Sequence, residues 1–277
     1  MRHGDTGNDM NGRPILVVDL DFTLIKTDML LESMWAALSR NVASIGTIIG
    51  GLLAGKAQLK ARLAARADID PALLLYNENI LQFIRDWREK GGRAALVTAS
   101  DRKFADSVAG HLGLFDAVHA SDGTRNLKGV AKAELLVGEY GDGGFDYIAD
   151  GRADIPVWQT ARRAITVDAS PSLRRAVENV APDVRHLEND RSDRGGWLRA
   201  IRPHQWLKNI LVFVPLVAAH ATDPEIWFAA FMAFVAFCLV ASSAYVLNDL
   251  LDLAADRAHP RKRERPFASG EVTLLKG

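Results

Sequence analysis

The chain has 277 residues, 34 basic and 34 acidic side chains, a formal net charge of zero and 48% hydrophobic residues. Zero net charge excludes a bulk electrostatic pull toward nucleic acid, and a single cysteine, Cys238, excludes an internal disulfide framework. The length suits one good-sized domain with something smaller beside it.

Residues 1–13 are polar and contain no apolar run, so they read as a disordered lead-in rather than a secretory signal. The first strand signal, Ile15-Leu-Val-Val-Asp-Leu-Asp21, ends in Asp19-Leu-Asp-Phe-Thr-Leu24. Two carboxylates at a strand end can both approach one ligand. That suits phosphoryl transfer through a covalent intermediate, in which one carboxylate attacks phosphorus and the other gives a proton to the leaving oxygen. Such crowding of negative charge calls for a divalent cation with oxygen ligands, such as Mg²⁺.

From Lys26 to about Tyr76 no strand signal appears, only Ala-rich helical patterning over Met29 to Leu38, Ile45 to Leu53 and Gln58 to Ala67. An insertion of this size exceeds a plain crossover and predicts a helical cap over the strand ends. Ile45 to Ala54 is apolar but too short to span a bilayer, so it is expected to be a core helix of that cap, with membrane contact as the alternative.

Further strand signals are Arg93 to Thr98, Ala117 to Ala120, Phe145 to Ala149 and Ala164 to Val167. Helix-length segments alternate with them at Glu78 to Lys90, Lys103 to Leu112, Gly129 to Tyr140 and Asp154 to Arg162. This alternation predicts an α/β fold with a mostly parallel sheet, helices on both faces, and ligands at the carboxyl ends of the strands.

Beyond Val184 the character changes. Residues 189–202 read as a charged linker. Residues 203–277 then begin a membrane domain, with spans expected over 206–221 and 226–247. The first expected span is short, carries Pro215 and includes Lys208; the second has no charge at all. Arg199, Arg202 and Lys208 precede the pair, while Arg257, Arg261, Lys262, Arg263 and Arg265 follow it. This distribution puts both outer flanks, and the sheet domain with them, in the cytoplasm.

Immediately after the second span, Asn248, Asp252 and Asp256 recur every four residues, which stacks three oxygen ligands along one helical stripe. Acids at a membrane helix end point to cation and diphosphate binding, with the basic run to Arg265 supplying donors to phosphate.

Two family resemblances carry these readings further. Asp19-x-Asp21-x-Thr23 resembles the first motif of the haloacid dehalogenase superfamily, and matches to its other motifs follow in order over residues 14–188. The resemblance implies a Rossmann-like core with a helical cap, with Asp19 as nucleophile and Asp21 as acid/base. It further implies Thr98 and Lys128 as phosphate-binding groups, and Asp19, Asp21, Asp150 and Asp154 around Mg²⁺. Its substrate would be a phosphorylated small molecule. Ala149 departs from the glycine that often precedes the fourth-motif acid.

Asn248-x-x-x-Asp252-x-x-x-Asp256 resembles the first acid-rich motif of the UbiA-type membrane prenyltransferases. Arg202-Pro-His-Gln-Trp-Leu-Lys-Asn209 and Asp256 to Gly270 look closest to the branch that places phosphoribose on polyprenyl phosphate. That likeness implies Arg257, Lys262 and Arg265 as phosphate-binding groups, with polyprenyl phosphate and a phosphoribosyl lipid as partners at the inner membrane. A full member would continue through further helices and a second acid-rich motif, so residues 203–277 read as the start of a truncated transferase. The two modules together predict a membrane-tethered phosphatase; the alternative is a catalytically idle regulatory module on a transferase.

Overall fold

The computed structural model describes residues 14–41, 43–122, 125–188 and 195–276. The expected lead-in over 1–13 and the first part of the expected linker, 189–194, lie outside the described residues. The chain divides into two compact units, residues 1–190 and 191–277.

The first unit is built on six parallel strands in the order β3-β2-β1-β4-β5-β6: β1 Ile15–Asp19, β2 Ala94–Asp101, β3 Ala117–Ser121, β4 Phe145–Ala149, β5 Arg163–Val167 and β6 Val184–Leu187. Strand side chains alternate between faces, and both faces of this sheet are buried. Leu16 and Val18 therefore join one apolar layer, with Ile80 and Ile84 of α4 (Glu78–Glu89) and Phe104 and Val108 of α5 (Arg102–Leu112). Ile15 and Val17 face the opposite layer, with Leu136 of α6 (Val130–Tyr140), Val157 and Trp158 of α7 (Ile155–Thr160), and Leu173 and Val177 of α8 (Pro171–Glu178). The strand order reverses between β1 and β4, which opens a crevice at their carboxyl ends. Strand β6 carries only the four residues Val-Arg-His-Leu, and the sequence reading missed it.

The insertion leaves and re-enters the core through one antiparallel pairing, Ile25 with Tyr76. Lys26 N donates to Leu75 O (2.8 Å) and Asn77 N to Leu24 O (2.9 Å), which fastens the neck. Between them lie α1 (Met29–Arg40), α2 (Ser44–Ala54) and α3 (Lys56–Arg66). Asp28 caps α1 by accepting from the Leu30 and Leu31 amides. Helices α2 and α3 approach closely because Gly51 has no side chain: a Cβ there would come within 2.7 Å of Leu59. The core-helix expectation for Ile45 to Ala54 needs correction. Ile48 packs inward, but Ile45, Ile49, Leu52 and Leu53 are exposed.

The second unit is helical. Residues 196–201, expected to be linker, form α9 (Gly196–Ile201). The expected span over 206–221 is not one regular helix. Tight helical turns over Pro203–Phe213 give way to the five-residue α10 (Val214–Ala218), with Pro215 at its start. Proline lacks the amide that would continue the preceding helix. Among the described residues, α11 (Pro224–Leu251) alone has the length and apolarity to cross a bilayer, with a mean hydropathy of 2.2 over its best window. At 1.5 Å per residue its 28 residues extend about 42 Å, more than the ~30 Å of a hydrocarbon core. It is followed, after a break at Asp252, by α12 (Leu253–Ala258).

Candidate active site

Asp19 closes β1, and the chain then makes one wide turn over Leu20–Leu24. Within it Asp21 is extended and Phe22 takes a left-handed conformation, φ 56°. That turn lets Asp19 and Asp21 both face the crevice instead of following the strand.

Asp19 is buried, and its Oδ1 accepts from Lys132 Nζ at 2.9 Å. The same ammonium donates to Asp154 Oδ1 and to the Tyr147 hydroxyl, both at 2.9 Å, and Tyr147 donates to Asp154 Oδ1 at 2.7 Å. Burial raises the Asp19 carboxyl to about 8, reinforced by Asp154 and Asp21 and opposed by Lys132. Burial alone would lower the Lys132 ammonium. Its two carboxylate partners outweigh that and raise it, so Lys132 stays charged at neutral pH.

Asp21 sits in a different setting. Its Oδ1 accepts from the Met29 amide (2.8 Å), the first residue of α1, and its Oδ2 accepts from Ser100 Oγ (2.7 Å). Burial raises it to about 6, with Asp28 adding to the rise and the Met29 and Ser100 donors opposing it. Thr98 is buried near the end of β2, its hydroxyl 3.5 Å from Asp21 Oδ2 and accepting from the Ser100 amide at 2.9 Å. Asp150 follows β4; burial raises it to about 7, and Thr23 Oγ1 lies 3.5 Å from its Oδ1.

Carboxylate oxygens of Asp19, Asp150 and Asp154 all lie within 4.8 Å of one another. An all-oxygen donor set of this kind fits a hard cation such as Mg²⁺. Asp21, also expected as a ligand, stands outside this group, and its two oxygens accept from the Met29 amide and the Ser100 hydroxyl.

The lysine expectation needs correction. Lys128 is exposed, whereas Lys132, one helical turn further on, reaches Asp19. Gly129, at φ 59°, starts α6 there, so Lys132 falls on the face shared with buried Ala133 and Leu136. A lysine at core-facing helical spacing was the signal available. Ser100 and Tyr147 were also missed; neither residue type stands out at a strand end.

In the second unit the acids separate into two groups. Exposed Asn248 donates to Asp252 Oδ2 at 3.1 Å. Asp256 is buried beyond the helix break, 2.7 Å from Arg265 Nη1 and 3.8 Å from Lys262 Nζ. The expected single stripe is thus interrupted, because α11 ends before Asp252 and the chain restarts as α12. Arg265 is committed to acids, since it also donates to Asp249 Oδ1 at 3.2 Å, while Arg257 is half-buried. Asp249, overlooked in the sequence, is buried and accepts from Arg202 Nη2 at 2.6 and 2.9 Å. It continues the α11 face of Cys238 and Ser242, which meets Asn209 and Trp206.

Comparisons with known proteins divide at the same place. The haloacid dehalogenase-like hydrolase family model matches residues 34–159, and the UbiA prenyltransferase family model matches residues 209–277. The Sinorhizobium fredii protein y4nM, described as uncharacterized, is 37% identical over 95% of this chain and 51% of its own length. The decaprenyl-phosphate phosphoribosyltransferase of Mycolicibacterium smegmatis is 49% identical over 82 residues, 28% of this chain and 26% of that protein. This chain therefore spans about half of the first relative and matches about a quarter of the second. A solved structure of a probable phosphoserine phosphatase from Vibrio cholerae is similar at 14% identity and a TM-score of 0.47, covering 65% of this chain and 62% of that one. The chain joins a haloacid dehalogenase-like unit to a segment of the UbiA prenyltransferase family.

Proposed function

We propose that residues 14–188 are a Mg²⁺-dependent phosphomonoester hydrolase attached to the cytoplasmic face of the inner membrane by the UbiA-type segment. The observation that carries this is the gathering of Asp19, Asp150, Asp154 and Lys132 at the ends of β1 and β4, with Asp21 beside them on separate donors.

In the first step an Asp19 oxygen forms a bond to phosphorus as the ester P–O bond breaks. The departing alkoxide takes a proton from Asp21, whose raised proton affinity suits that task. Water then attacks phosphorus, gives its proton to Asp21, and the bond to Asp19 breaks, releasing inorganic phosphate. Thr98 holds a phosphoryl oxygen, and Lys132 holds another by giving up one of its three acceptors, Asp19, Asp154 and the Tyr147 hydroxyl. When bound by Asp19, Asp150 and Asp154, Mg²⁺ offsets the negative charge gathered at phosphorus.

The substrate we propose is a polyprenyl-linked 5-phosphoribose. The UbiA-type segment supports it, because that segment resembles enzymes named for transfer of phosphoribose to decaprenyl phosphate. In that segment Asn248, Asp252 and Asp256 would serve the metal-diphosphate site, with Arg257 and Lys262 nearby for phosphate and Arg265 reaching it only by releasing Asp249 or Asp256.

The test is phosphate release by the full chain in detergent with Mg²⁺, on phosphoribosyl lipid and on simple sugar phosphates. Asp19→Asn is expected to abolish turnover and the trapping of BeF₃⁻. Trapping without turnover on any substrate would favour a regulatory module. Neither trapping nor turnover would sink the hydrolase reading.

A further inference from the structure

The cap carries a surface that phosphate chemistry does not use. Helix α2 turns Ile48 and Gly51 inward against α1 and α3, and leaves Ile45, Ile49, Leu52 and Leu53 exposed at 47%, 53%, 61% and 86%. Their spacing of i, i+4, i+7 and i+8 gathers them into one ridge on the helix. An apolar ridge of this size on an otherwise polar surface marks an interaction site.

The ridge has a basic border. Arg62 and Arg66 of α3 lie along one flank of α2, while Arg40 pairs with Asp68 and Lys60 turns away to the Ala99 carbonyl. Grooves between α2 and α3 are lined by Arg40, Arg62 and Arg66 together with the hydroxyls of Ser44 and Thr47. Arg66 donates to Thr47 Oγ1, and Arg62 lies against Gly50, where a Cβ would come within 3.3 Å of its guanidinium. Gly50, with no side chain, lets Arg62 lie close to the helix.

We propose that the α2–α3 hairpin is a membrane-surface contact: the α2 ridge enters the headgroup boundary of a bilayer, and Arg62 and Arg66 pair with anionic lipid phosphates. A helix of 11 residues is too short to cross and suited to lie in the interface. Anionic headgroups complement the paired arginines, Arg62 and Arg66, beside the ridge. A second copy does not fit, because two-fold pairing of the ridge would set the same arginines against each other. The chain also carries α11, which brings a bilayer within reach. The inference does not depend on the hydrolase reading, and it uses the membrane reading of α11 for proximity alone.

The test uses the full chain with Cys238→Ser, so that one introduced cysteine carries a nitroxide at Leu53, at Val240 in α11, or at Ser172 in α8. Each labelled protein is reconstituted into phosphatidylcholine vesicles with and without phosphatidylglycerol, and accessibility to oxygen and to a water-soluble nickel chelate is measured. With phosphatidylglycerol, the Leu53 label is expected to approach the oxygen preference of the Val240 label while Ser172 stays aqueous. Arg62→Glu with Arg66→Glu should return the Leu53 label toward water. A Leu53 label that stays open to nickel in both vesicles overturns the proposal. So does one shielded from both reagents equally in detergent and vesicles, which would mean a protein cover. The Val240 label reports separately whether α11 is in the bilayer.

Discussion

Ser100 donates its hydroxyl to Asp21 at 2.7 Å, and so holds in place the carboxylate proposed to carry the proton. The donor favours the ionised form and keeps the carboxyl lower than burial alone would leave it. Ser100→Ala is therefore expected to raise the Asp21 proton affinity further. The alkaline limb of the kcat/KM profile should move to higher pH, with KM changed little. A profile superimposable on the parent would separate Ser100 from the acid.

Lys132 is the ammonium between two buried carboxylates, so its loss leaves Asp19 and Asp154 facing each other uncompensated. Lys132→Met should abolish turnover and cost about 3 kcal/mol of stability, the typical result of removing one partner from a buried pair. Added Mg²⁺ is expected to recover more thermal stability in the variant than in the parent. Lys128→Met should leave both melting and turnover unchanged, since Lys128 is exposed.

Asp21, Asp150 and Asp19 are raised to about 6, 7 and 8, with burial as the first cause in each. A carboxyl raised in the folded state contributes stability that is fully present below its unfolded value, near 3.8, and is lost as pH rises through the folded one. In EDTA the melting temperature of the first unit should therefore fall between pH 5 and pH 8.5. Mg²⁺ requires the deprotonated carboxylates, so its apparent affinity should tighten over about the same range, with protons released on binding. Calorimetric titration in two buffers of different ionisation enthalpy measures both. A pH-independent affinity would contradict the site.

Asp249 and Asp252 are three residues apart and predicted to behave oppositely. Asp249, 2% exposed, holds Arg202 and Arg265; Asp249→Asn should lower stability in detergent by roughly 2–4 kcal/mol. Asp252 contacts exposed Asn248, so Asp252→Asn should leave stability within about 0.5 kcal/mol. Thermal unfolding of the two variants side by side decides the matter. Equal losses would mean that Asp249 is not the structural anchor of this unit.

The sheet was legible because buried parallel strands write continuous apolar runs, and Phe145 to Ala149 was bounded as the structure has it. Strand β6 was not, because an edge strand reading Val-Arg-His-Leu buries too little to leave such a run. Asp19, Asp21 and Asp150 stand out in the sequence because they follow apolar strand runs, whereas Thr98 lies within β2 and Asp154 at the start of α7. Lys132 could not be found that way. Its position depends on where α6 begins, and a positive-φ glycine decides that by one turn. Pro215 was noticed, yet its effect on the 206–221 segment depends on a helix register that hydropathy does not report. Asp249 was hidden by its neighbour Asn248, since only the angular position around α11 tells the buried residue from the exposed one.

The Met29 amide that donates to Asp21 belongs to the first residue of the first cap helix. The carboxylate proposed to carry the proton is thus tied by one bond to the start of the cap. Any displacement of the cap that stretches this bond removes a donor from the carboxylate and makes it hold its proton more firmly.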